Sequence, residues 1–497
     1  MSSYELGSGV MSMEQRETRQ MNRFKLTPEA CTDGPFKGYV GLDRINFAAT
    51  RRSTDKFSHL MHHLNEFNLR QAFRQCDGAK AVGSDQVTKY EYGLDLQTNL
   101  ENLEDKISGG GWRPRPSREK LIPKPTGGMR RLAIGCLEDK IVQGLCAKIL
   151  EAIYEPIFHR HSFGFRRGKS QHQAIARVYQ EIRRREESCV VVEMDIEKFF
   201  DQISHEKLIE LIEARISDPH FVRLIRRMLR NSILSENGEI LVNEMGTPQG
   251  SPISPILANI YLHTILDEWF ESTWASKGQM IRYADDAVFV FSQEQDATEF
   301  QEALKERLWN EGRIKLNAEK SGLTRFGKRK PQGDIPFLGF VFYWGFAGIR
   351  TKRLLKIKTA PKKIANSIQN FKEWIKAERH KHRLKILWNL AAAKIRGHFN
   401  YYGVATNESK LNHFYYACVR ELFKWLNRRS QKRSYTWDGF MQRLQSDPLP
   451  LPPTGRALVD ITNGLGSKLK HKPKSRVREI RKHGSERSNG RQRPLFT

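Results

Sequence analysis

Hydrophobic and polar positions divide the chain into helical segments with a strand-rich stretch in the middle. Apolar residues spaced three and four positions apart predict helices, and β-branched or aromatic runs bounded by turn residues predict strands. The predicted helices cover residues 57–73, 96–108, 137–157, 171–186 and 296–310, and two more begin at His205 and Ile256. The predicted strands and hairpins cover residues 121–134, 189–196, 233–243, 281–291 and 335–344.

The last third of the chain changes character. From about residue 352 to 427 the pattern is helical and basic, and aromatic residues alternate with Arg and Lys, as at Lys424–Trp437. This alternation favours RNA-binding helices, although aromatic residues in the core of amphipathic helices are an alternative explanation. Residues 1–55 lack apolar periodicity, and Pro448–Pro453 reads as a stiff linker before a tail rich in Lys and Arg. We therefore expect boundaries near residues 55, 345 and 447, and a tail that binds phosphate without sequence preference.

Two adjacent carboxylates, Asp285 and Asp286, interrupt the strand-forming stretch 281–291 and predict a strand, a tight turn and a second strand. Neighbouring carboxylates repel each other, and a divalent cation between them would offset that repulsion, since Mg²⁺ prefers one or two carboxylates together with phosphate oxygens. An ordinary solvated Asp-Asp turn is the alternative. Asp195 ends another apolar strand, 90 residues upstream. Three carboxylates at one sheet edge can hold two divalent ions for phosphoryl transfer.

Two further stretches carry side chains suited to nucleotides and nucleic acid. Lys124 and Arg130 lie on the two arms of the predicted hairpin 121–134, where cations facing one ligand suit a phosphate clamp; a basic surface ribbon is the alternative. Downstream, Phe163 and Arg166 belong to a run in which Gly, Arg and aromatic residues interleave. That combination is typical of surfaces that contact a template's backbone and bases.

Charge narrows the class of partner. The chain has 84 Lys and Arg against 56 Asp and Glu, a net charge of +28, which predicts a polyanionic partner, either nucleic acid or an acidic membrane surface. No apolar run approaches the roughly 20 residues of a membrane span, and the first residues show no export or transit signal, so we expect no membrane association. The six cysteines form no CxxC pair, which fits a reducing, cytoplasmic location.

Seven motifs in order make the chain resemble reverse transcriptases of the group II intron maturase type. Two of them carry the carboxylates: Val192–Asp195 with Phe199–Asp201 is similar to the family's first palm motif, and Tyr283–Asp286 is similar to its YxDD turn. The other five are Ile122–Pro125, Phe163–Arg166, Gln249–Gly250 with Ser254–Pro255, Lys320, and Phe337–Gly339. The resemblance covers the chain from about Phe57 to Trp437, and no single motif among the seven would be specific alone.

The resemblance implies an α+β right-hand polymerase: fingers and an antiparallel-sheet palm over residues 56–345, and a helical thumb and maturase domain over 346–447. An N-terminal extension is expected over 1–55, and a Pro-rich linker with a basic tail over 448–497. The extension and the tail beyond Pro453 match nothing known in the family. The segments Gly397–Tyr402 and Lys424–Trp437 resemble the maturase domain called X, which binds intron RNA in that family. The family's frequent HNH endonuclease module is missing, because no cysteine follows Cys418.

The resemblance also implies roles for individual residues. Asp195, Asp285 and Asp286 would be catalytic and would bind two Mg²⁺ ions with help from the Ile196 carbonyl. Phe200 would reject a ribose 2′-hydroxyl and so select dNTPs; an ordinary core aromatic is the alternative. The remaining assignments are nucleotide binding for Lys124, Arg130, Gln249 and Lys320, and template or primer binding for Phe163, Arg166, Tyr283 and Gly339.

The expected function is an RNA-directed DNA polymerase that copies an RNA template from a DNA or RNA primer and assists splicing of its intron RNA during mobility into target DNA. Two other classes stay open. One is a host-adopted relative used in phage defence or DNA repair, and the other is a non-catalytic splicing factor. The three intact carboxylates argue against the last. The oligomeric state cannot be predicted from the sequence.

Overall fold

A computed structural model describes residues 34–52, 54–123, 128–347, 352–429 and 435–453. Residues 1–33, Lys124 with the turn of its hairpin, and the basic tail beyond residue 453 lie outside these ranges. The described residues divide into two compact units. The first contains the described residues up to 123 together with 128–158 and 200–261, and the second contains 159–199 and the described residues from 262 onward. The boundaries expected near residues 55, 345 and 447 stay predictions.

Helices account for about half of the described chain. They are α1 (Leu42–Arg51), α2 (Glu66–Gln75), α3 (Lys89–Leu94), α4 (Leu96–Ser108), α5 (Leu137–Tyr154), α6 (Gln171–Arg184), α7 (Phe199–Gln202), α8 (His205–Glu213), α9 (Pro219–Leu229), α10 (Ser254–Leu262), α11 (Trp269–Thr273), α12 (Glu294–Gly312), α13 (Pro361–Glu378), α14 (Leu384–Tyr402), α15 (Glu408–Leu426) and α16 (Trp437–Ser446). A 3₁₀ turn covers Met61–His63 and a π-helical turn covers His263–Glu268. None of the described helices is long and apolar enough to cross a membrane.

Eleven described strands form three sheets. The strands are β1 (Ser117–Pro123), β2 (Met129–Ile134), β3 (Val190–Met194), β4 (Ile233–Leu234), β5 (Ile240–Leu241), β6 (Gly278–Tyr283), β7 (Asp286–Phe291), β8 (Gly322–Arg325), β9 (Ile335–Phe337), β10 (Phe340–Ala347) and β11 (Lys352–Thr359). Their orders are β2-β1-β4-β5, β6-β7-β3-β8 and β11-β10-β9. The first sheet belongs to the first unit, and the other two belong to the second.

Most of the elements expected from periodicity are confirmed. The helices predicted at 96–108, 137–157, 171–186 and 296–310 correspond to α4, α5, α6 and α12, and each predicted hairpin is present. The helix predicted at 57–73 is wrong in its first half, because Phe57 bridges Ile216 and α2 begins only at Glu66. Asn65 caps that helix: its side chain accepts the Asn68 backbone N–H, which satisfies one of the donors left free at a helix start.

The second unit is organised around the antiparallel sheet β6-β7-β3-β8. Its central strands are almost entirely apolar and buried, with Val191, Phe289 and Val290 inaccessible to solvent. Strands buried on both faces need helices against each face. Helix α6 contacts β6 and β7, and helix α12 contacts β3, β7 and β8. The expected antiparallel sheet with helices packed against it is therefore confirmed.

The start of the basic helical region was predicted wrongly. Residues 352–359 form strand β11, which pairs along its whole length with β10, and the first helix of the region begins at Pro361. Leu355, Ile357 and Thr359 are buried while the lysines between them are partly exposed. This alternation is the period of a strand with one buried face, and the abundance of Lys obscures it.

The four helices α13–α16 share a separate apolar core in the second unit. It is built by Ile375, Leu387 and Leu422, among others, and closed by ring contacts such as that of Phe423 with Phe440 at 5.4 Å between centroids. Part of the aromatic content of this region is thus structural. The core-aromatic explanation holds for Trp388 and Phe440, which are fully buried or nearly so.

We expect Phe300 on α12 to be among the most sensitive core positions, because its ring lies 4.5 Å from that of Phe289 and 5.2 Å from that of Phe291, and it is fully buried. Phe300→Ala should lower the free energy of unfolding by about 3–5 kcal/mol. Urea titration followed by circular dichroism measures this. Trp309→Ala on the same helix, at a side chain 43% exposed, is the control and should cost about 1 kcal/mol or less. Equal losses in both variants would contradict the packing described.

Candidate active site

Strand pairing brings the three predicted carboxylates to one end of the sheet β6-β7-β3-β8, the sheet expected to form the palm. Strand β3 runs antiparallel to β7, with Met194 opposite Ala287, so the next step along each strand places Asp195 beside Asp286. Asp285 lies in the two-residue turn between β6 and β7, whose last pair is Tyr283 with Asp286. The predicted strand-turn-strand is therefore confirmed, and the sheet holds Asp195, Asp285 and Asp286 together.

Electrostatics show that these carboxylates are close enough to affect one another. Burial, followed by the charges of Asp285 and Asp195, raises the pKa of Asp286 from 3.8 to about 7. Lys320 and Lys363 act in the opposite direction but do not compensate. A carboxyl group in this environment gains from any nearby positive charge, and the solvated-turn alternative does not account for such a large shift.

Asp195 is held through both its backbone and its side chain. The Ser321 hydroxyl accepts the Asp195 N–H at 3.1 Å and lies 3.2 Å from the Asp195 carbonyl, to which Asn317 N also donates at 2.9 Å. Lys320 Nζ lies 3.2 and 3.4 Å from the two carboxylate oxygens. Since Lys320 is 62% exposed, it can leave Asp195 at little cost. Its expected part in nucleotide binding stays a prediction.

The donors present fit a divalent cation shared with a substrate better than a protein-only metal cage. In the described residues no group of three His, Cys, Asp or Glu side chains is arranged to hold a metal ion. Mg²⁺ does not require one, since it is usually bound by one or two carboxylates with waters and phosphate oxygens. Ile196, the expected carbonyl ligand, is buried and bridges Leu316, which fixes the backbone next to Asp195.

A buried ion pair under the turn sets its position. The Arg282 guanidinium donates to both carboxylate oxygens of Asp267, at 2.7 and 2.5 Å, and its Nη1 donates to the Ala284 carbonyl at 2.9 Å. Both side chains of the pair are fully buried. Burial alone would raise the pKa of Asp267, but Arg282 and His263 outweigh it, so the carboxylate stays ionised. Arg282 thus ties the carboxylate turn to the π-helical turn that carries Asp267.

Closely packed backbone atoms of the segment that begins at Ser162 also restrain the turn. Ser162 bridges Arg282 in parallel, with Phe163 N donating to the Arg282 carbonyl at 2.8 Å. A Cβ at Gly164 would lie 2.2 Å from Ala284 N, so a side chain cannot fit there without moving the turn. Ala284 itself has a φ of 57°, a conformation that costs a residue other than glycine free energy and that the surrounding contacts must maintain.

In the segment Phe163–Arg166, which was predicted to contact the template, some side chains stabilise the loop and another is exposed. The Phe163 ring is buried in the core of the second unit, and Arg166 donates to the carbonyls of His159 and Ser162 at 2.7 and 2.8 Å, so both stabilise this loop. The exposed ring here is that of Phe165, at 53%. Phe165 fits the expected stacking role better than Phe163, and the sequence run alone gave no way to distinguish the two rings.

The segment around Gly339 contacts the helices that follow β11. Gly339 has a φ of 78°, its carbonyl accepts Ala360 N at 3.0 Å, and a Cβ there would lie 3.1 Å from the Tyr402 hydroxyl. The neighbouring Tyr401 hydroxyl donates to Leu338 O at 3.2 Å. Burial, then the nearby Tyr402, Tyr283 and Asp286, raises the pKa of Tyr401 to about 12. Tyr401 and Lys363 therefore lie close enough to Asp286 for their charges to affect one another, a placement that the sequence did not indicate.

In the first unit, Phe200 and Gln249 are linked through the segment 246–250. Thr247 N donates to the Phe200 carbonyl at 2.7 Å, and Ala133 N on β2 donates to the Gln249 carbonyl at 2.9 Å. Gly250, with a φ of 105°, lies so close that a Cβ would approach Leu132 Cδ1 to 2.8 Å. Arg130 is exposed and pairs with Ile122 across the ribbon. The nucleotide-binding roles expected for these residues stay predictions, as does that of Lys124 outside the described residues.

The most informative residues missed from the sequence are Arg282 and Asp267. Arg282 is a charged residue inside an otherwise apolar strand, and its neighbours Ile281 and Met280 are buried. A charge in that setting needs a buried partner, which was a usable signal. Its partner could not be identified from sequence, because Asp267 lies in a π-helical turn that no spacing rule predicts.

Breaking this pair should destabilise the protein more than breaking a surface pair. We expect Asp267→Asn to lower the free energy of unfolding by about 3–5 kcal/mol, because Arg282 is left charged and buried. The double change Asp267→Leu with Arg282→Met should recover most of that loss. Asp296→Asn, which breaks the exposed pair with Lys277, is the control and should cost about 1 kcal/mol or less. Urea titration gives all three values; a double variant no more stable than Asp267→Asn would contradict this account.

Comparison with known proteins supports the resemblance of the chain to reverse transcriptases. The family model for "Reverse transcriptase (RNA-dependent DNA polymerase)" matches residues 122–342, a range that includes all three carboxylates. A Schizosaccharomyces pombe protein described as an uncharacterized 91 kDa protein in the cob intron is 46% identical over 158 residues, covering 32% of this chain and 19% of that protein. The group II intron-encoded protein LtrA of Lactococcus lactis is 37% identical over 170 residues, covering 34% and 28%.

Protein YkfC of Escherichia coli is 34% identical over 201 residues, covering 40% of this chain and 52% of that protein. Among solved structures, telomerase from Candida albicans with a fragment of telomeric RNA aligns at a TM-score of 0.39 and 13% identity, over 72% of this chain and 65% of that one, a likeness too weak to support an inference. The chain spans about a fifth to a half of the length of these curated relatives. The family match confirms the expected right-hand polymerase fold, and residues 122–342 are similar to reverse transcriptase domains, while part of the chain is similar to a group II intron-encoded protein.

Proposed function

We propose that this protein is an RNA-directed DNA polymerase that adds dNTPs to a primer with two Mg²⁺ ions at Asp195, Asp285 and Asp286, and that it assists splicing of an intron RNA. The observation that carries the proposal is the strand pairing that brings Asp195, Asp285 and Asp286 to one end of the sheet β6-β7-β3-β8, where burial and the two neighbouring carboxylates raise the pKa of Asp286. Buried carboxylates that repel one another are characteristic of sites that bind divalent cations.

The residues of this site have distinct parts in the reaction. Ions bound there would lower the pKa of the primer's 3′-hydroxyl and stabilise the leaving pyrophosphate. Asp195, Asp285 and Asp286 provide the negative charge that binds these ions. Arg282 keeps the turn in place, and the exposed Lys320 is free to exchange Asp195 for a phosphate oxygen. The protein thus contributes by positioning the reactants and by electrostatic stabilisation, as expected for phosphoryl transfer.

The second role, in splicing, is supported by the basic surface of the helical region. Around Trp425 lie Arg379 at 4.9 Å, Arg428 at 5.3 Å, Lys424 at 5.6 Å and Lys376 at 6.0 Å from the ring. Such a concentration of cations suits RNA phosphates. The name of the related LtrA, a group II intron-encoded protein, points in the same direction. The same proposal includes binding of template RNA, a primer and target DNA, and a cytoplasmic location.

Primer extension on an RNA template with dNTPs and Mg²⁺ tests the polymerase. Loss of a residue that only supports a metal ligand commonly costs ten- to a hundredfold in metal affinity or activity. Because Asp285 is assigned as a ligand itself, Asp285→Asn should reduce the rate by about a hundredfold or more. Asp334→Asn, at a surface carboxylate paired with Lys358, should retain near-normal activity. Full activity of Asp285→Asn would exclude the assigned site.

The same variant separates the two roles. Asp285→Asn should still assist intron splicing, because splicing requires RNA binding and not nucleotide addition. If neither parent nor variant copies RNA but both assist splicing, the protein is the non-catalytic splicing factor. If the parent copies RNA and no intron RNA flanks the reading frame, the host-adopted alternative is favoured.

Selection of dNTPs is tested at Phe200. A ring beneath the sugar leaves no room for a 2′-hydroxyl, so Phe200→Ala should lower the ratio of kcat/KM for dNTP over rNTP by about tenfold or more, a loss of at least ~1.4 kcal/mol of discrimination. Phe47→Ala, at a side chain 58% exposed in the same unit, should leave this ratio unchanged. An unchanged ratio in Phe200→Ala would remove the gate assignment.

A further inference from the structure

Helix α9 in the first unit presents an outer face made of arginines. Its start is fixed by Asp218, whose carboxylate accepts the N–H groups of His220 and Phe221 at 3.0 and 3.1 Å, and by Pro219 in the first turn. The opposite face is buried, with Phe221 and Ile225 inaccessible to solvent. A groove of about 330 Å³ beside the helix is lined by the residues we call the arginine surface: Arg113, Arg223, Arg226, Arg227 and Arg230.

Two of these guanidiniums are held side by side. Arg113 Nη1 donates to the carbonyls of Gly110 and Trp112, both at 3.0 Å. Arg227 Nη1 donates to the same two carbonyls at 2.9 and 3.1 Å. Burial and the positive charges of Arg113 and Arg223 lower the pKa of Arg227. The fold therefore holds like charges together at an electrostatic cost, and it does so with neutral backbone acceptors rather than carboxylates.

Carboxylates hardly compensate for this charge. Within the described part of the chain, Arg226 has an ion pair with Glu213 at 3.6 Å, whereas Arg223 and Arg230 form no hydrogen bond or ion pair through their side chains. Exposed cations elsewhere do have carboxylate partners, such as Lys277 with Asp296 and Lys305 with Glu302, each at 2.9 Å. The arginine surface is thus a local excess of positive charge suited to an anion.

The spacing fits a phosphate backbone. Arg223 and Arg230 are seven residues apart, which is roughly 10 Å along a helix at 1.5 Å per residue. Measured along a duplex axis, that length covers about three nucleotide steps of one strand at the 3.4 Å per step of B-form DNA, so it suits a duplex backbone without distinguishing RNA from DNA. None of the described residues that line the groove is aromatic. Because recognition of unpaired bases relies on stacking, the surface suits paired strands whose phosphates face outward.

The arginine surface lies away from the part of the first unit expected to bind the nucleotide. Ser232, on the groove, accepts the backbone N–H of Ser117 at 2.9 Å, so the groove adjoins the first residue of β1. Arg130 pairs with Ile122 near the other end of that strand. Ser117 and Ile122 are five steps apart along β1, which separates the two places by about 17 Å at 3.3 Å per residue. A phosphate bound at the arginines is not the triphosphate of the incoming nucleotide.

We propose that the arginine surface binds the phosphate backbone of base-paired RNA, as a docking site separate from nucleotide addition. The choice of RNA rests on the proposed function, whereas the choice of a paired backbone rests on the geometry above. Binding there would hold a folded RNA on the protein without reading its sequence.

The test compares the double variant Arg223→Gln/Arg230→Gln with the parent protein in binding to a perfectly paired RNA hairpin over a range of salt concentrations. Each lost phosphate contact lowers the slope of log K against log salt by about 0.7–0.9, so the double variant should lose about 1.5 from the slope and about tenfold or more in affinity near 0.1 M salt. Both side chains are exposed, and an unchanged melting temperature will confirm folding. Lys277→Gln/Lys305→Gln removes the same charge from cations that have carboxylate partners, and should change neither quantity.

Three outcomes would overturn the inference. Equal slopes for the two double variants would show that the arginines contact no phosphate. An equal loss of affinity for an unpaired RNA of the same length would exclude a preference for paired strands, and an equal loss for a DNA duplex would exclude the choice of RNA. Primer extension on a short template separates this inference from the proposed function. The arginine variant should copy that template normally, and a protein without polymerase activity could still show the change in slope.

Discussion

The buried pair of Arg282 with Asp267 is the interaction on which the geometry of the site depends. The turn that carries Asp285 has only two residues outside the strands, and one of them, Ala284, has a positive φ. Such a turn would relax if its carbonyl were not held. Arg282 supplies the hydrogen bond, and Asp267 holds the Arg282 guanidinium in its orientation inside the core. A buried ion pair is a poor source of stability compared with apolar packing, so its presence here is better explained by the position it imposes on the turn.

The same sheet creates a conflict that folding alone does not resolve. The pairing of β3 with β7 is determined by apolar side chains such as Val191 and Phe289, and that register leaves Asp195 and Asp286 side by side. Burial, followed by the charges of Asp285 and Asp195 that the strands hold nearby, raises the pKa of Asp286 to about 7. Lys320 relieves part of the repulsion from an exposed position, which is the position a diffusible cation or a substrate phosphate can take over. Strands hold such groups more rigidly than loops do, and rigid charges stabilise a transition state without reorganising.

How far the sequence could predict this arrangement depends on the range of the interactions. The hairpin with Asp285 at its turn follows from local alternation, and the proximity of Asp195 follows from a strand that ends in an acid, so both could be predicted. The family motifs added predictions of which residues bind metal ions, the nucleotide and the template. The partner of Arg282, the burial of Phe163 and the approach of Tyr401 and Lys363 result from contacts between segments far apart in the chain. Strand β11 was missed for a different reason: alternate Lys residues look like a polar helix face unless the buried Leu355 and Ile357 are counted with period two.

The carboxylate site and the arginine surface show the same physical condition with opposite sign. In each, backbone packing brings like charges together, and the described residues supply too little opposite charge. Charge of this kind lowers the stability of the free protein, so a ligand that neutralises it stabilises the folded state through its own binding. The two places differ in depth. Asp286 is largely buried and its charge is strongly felt, whereas Arg223 and Arg230 are exposed and screened by salt within about 8 Å at physiological ionic strength. The first condition suits tight binding of small cations at fixed positions, and the second suits a salt-sensitive hold on a long polyanion that must be able to move.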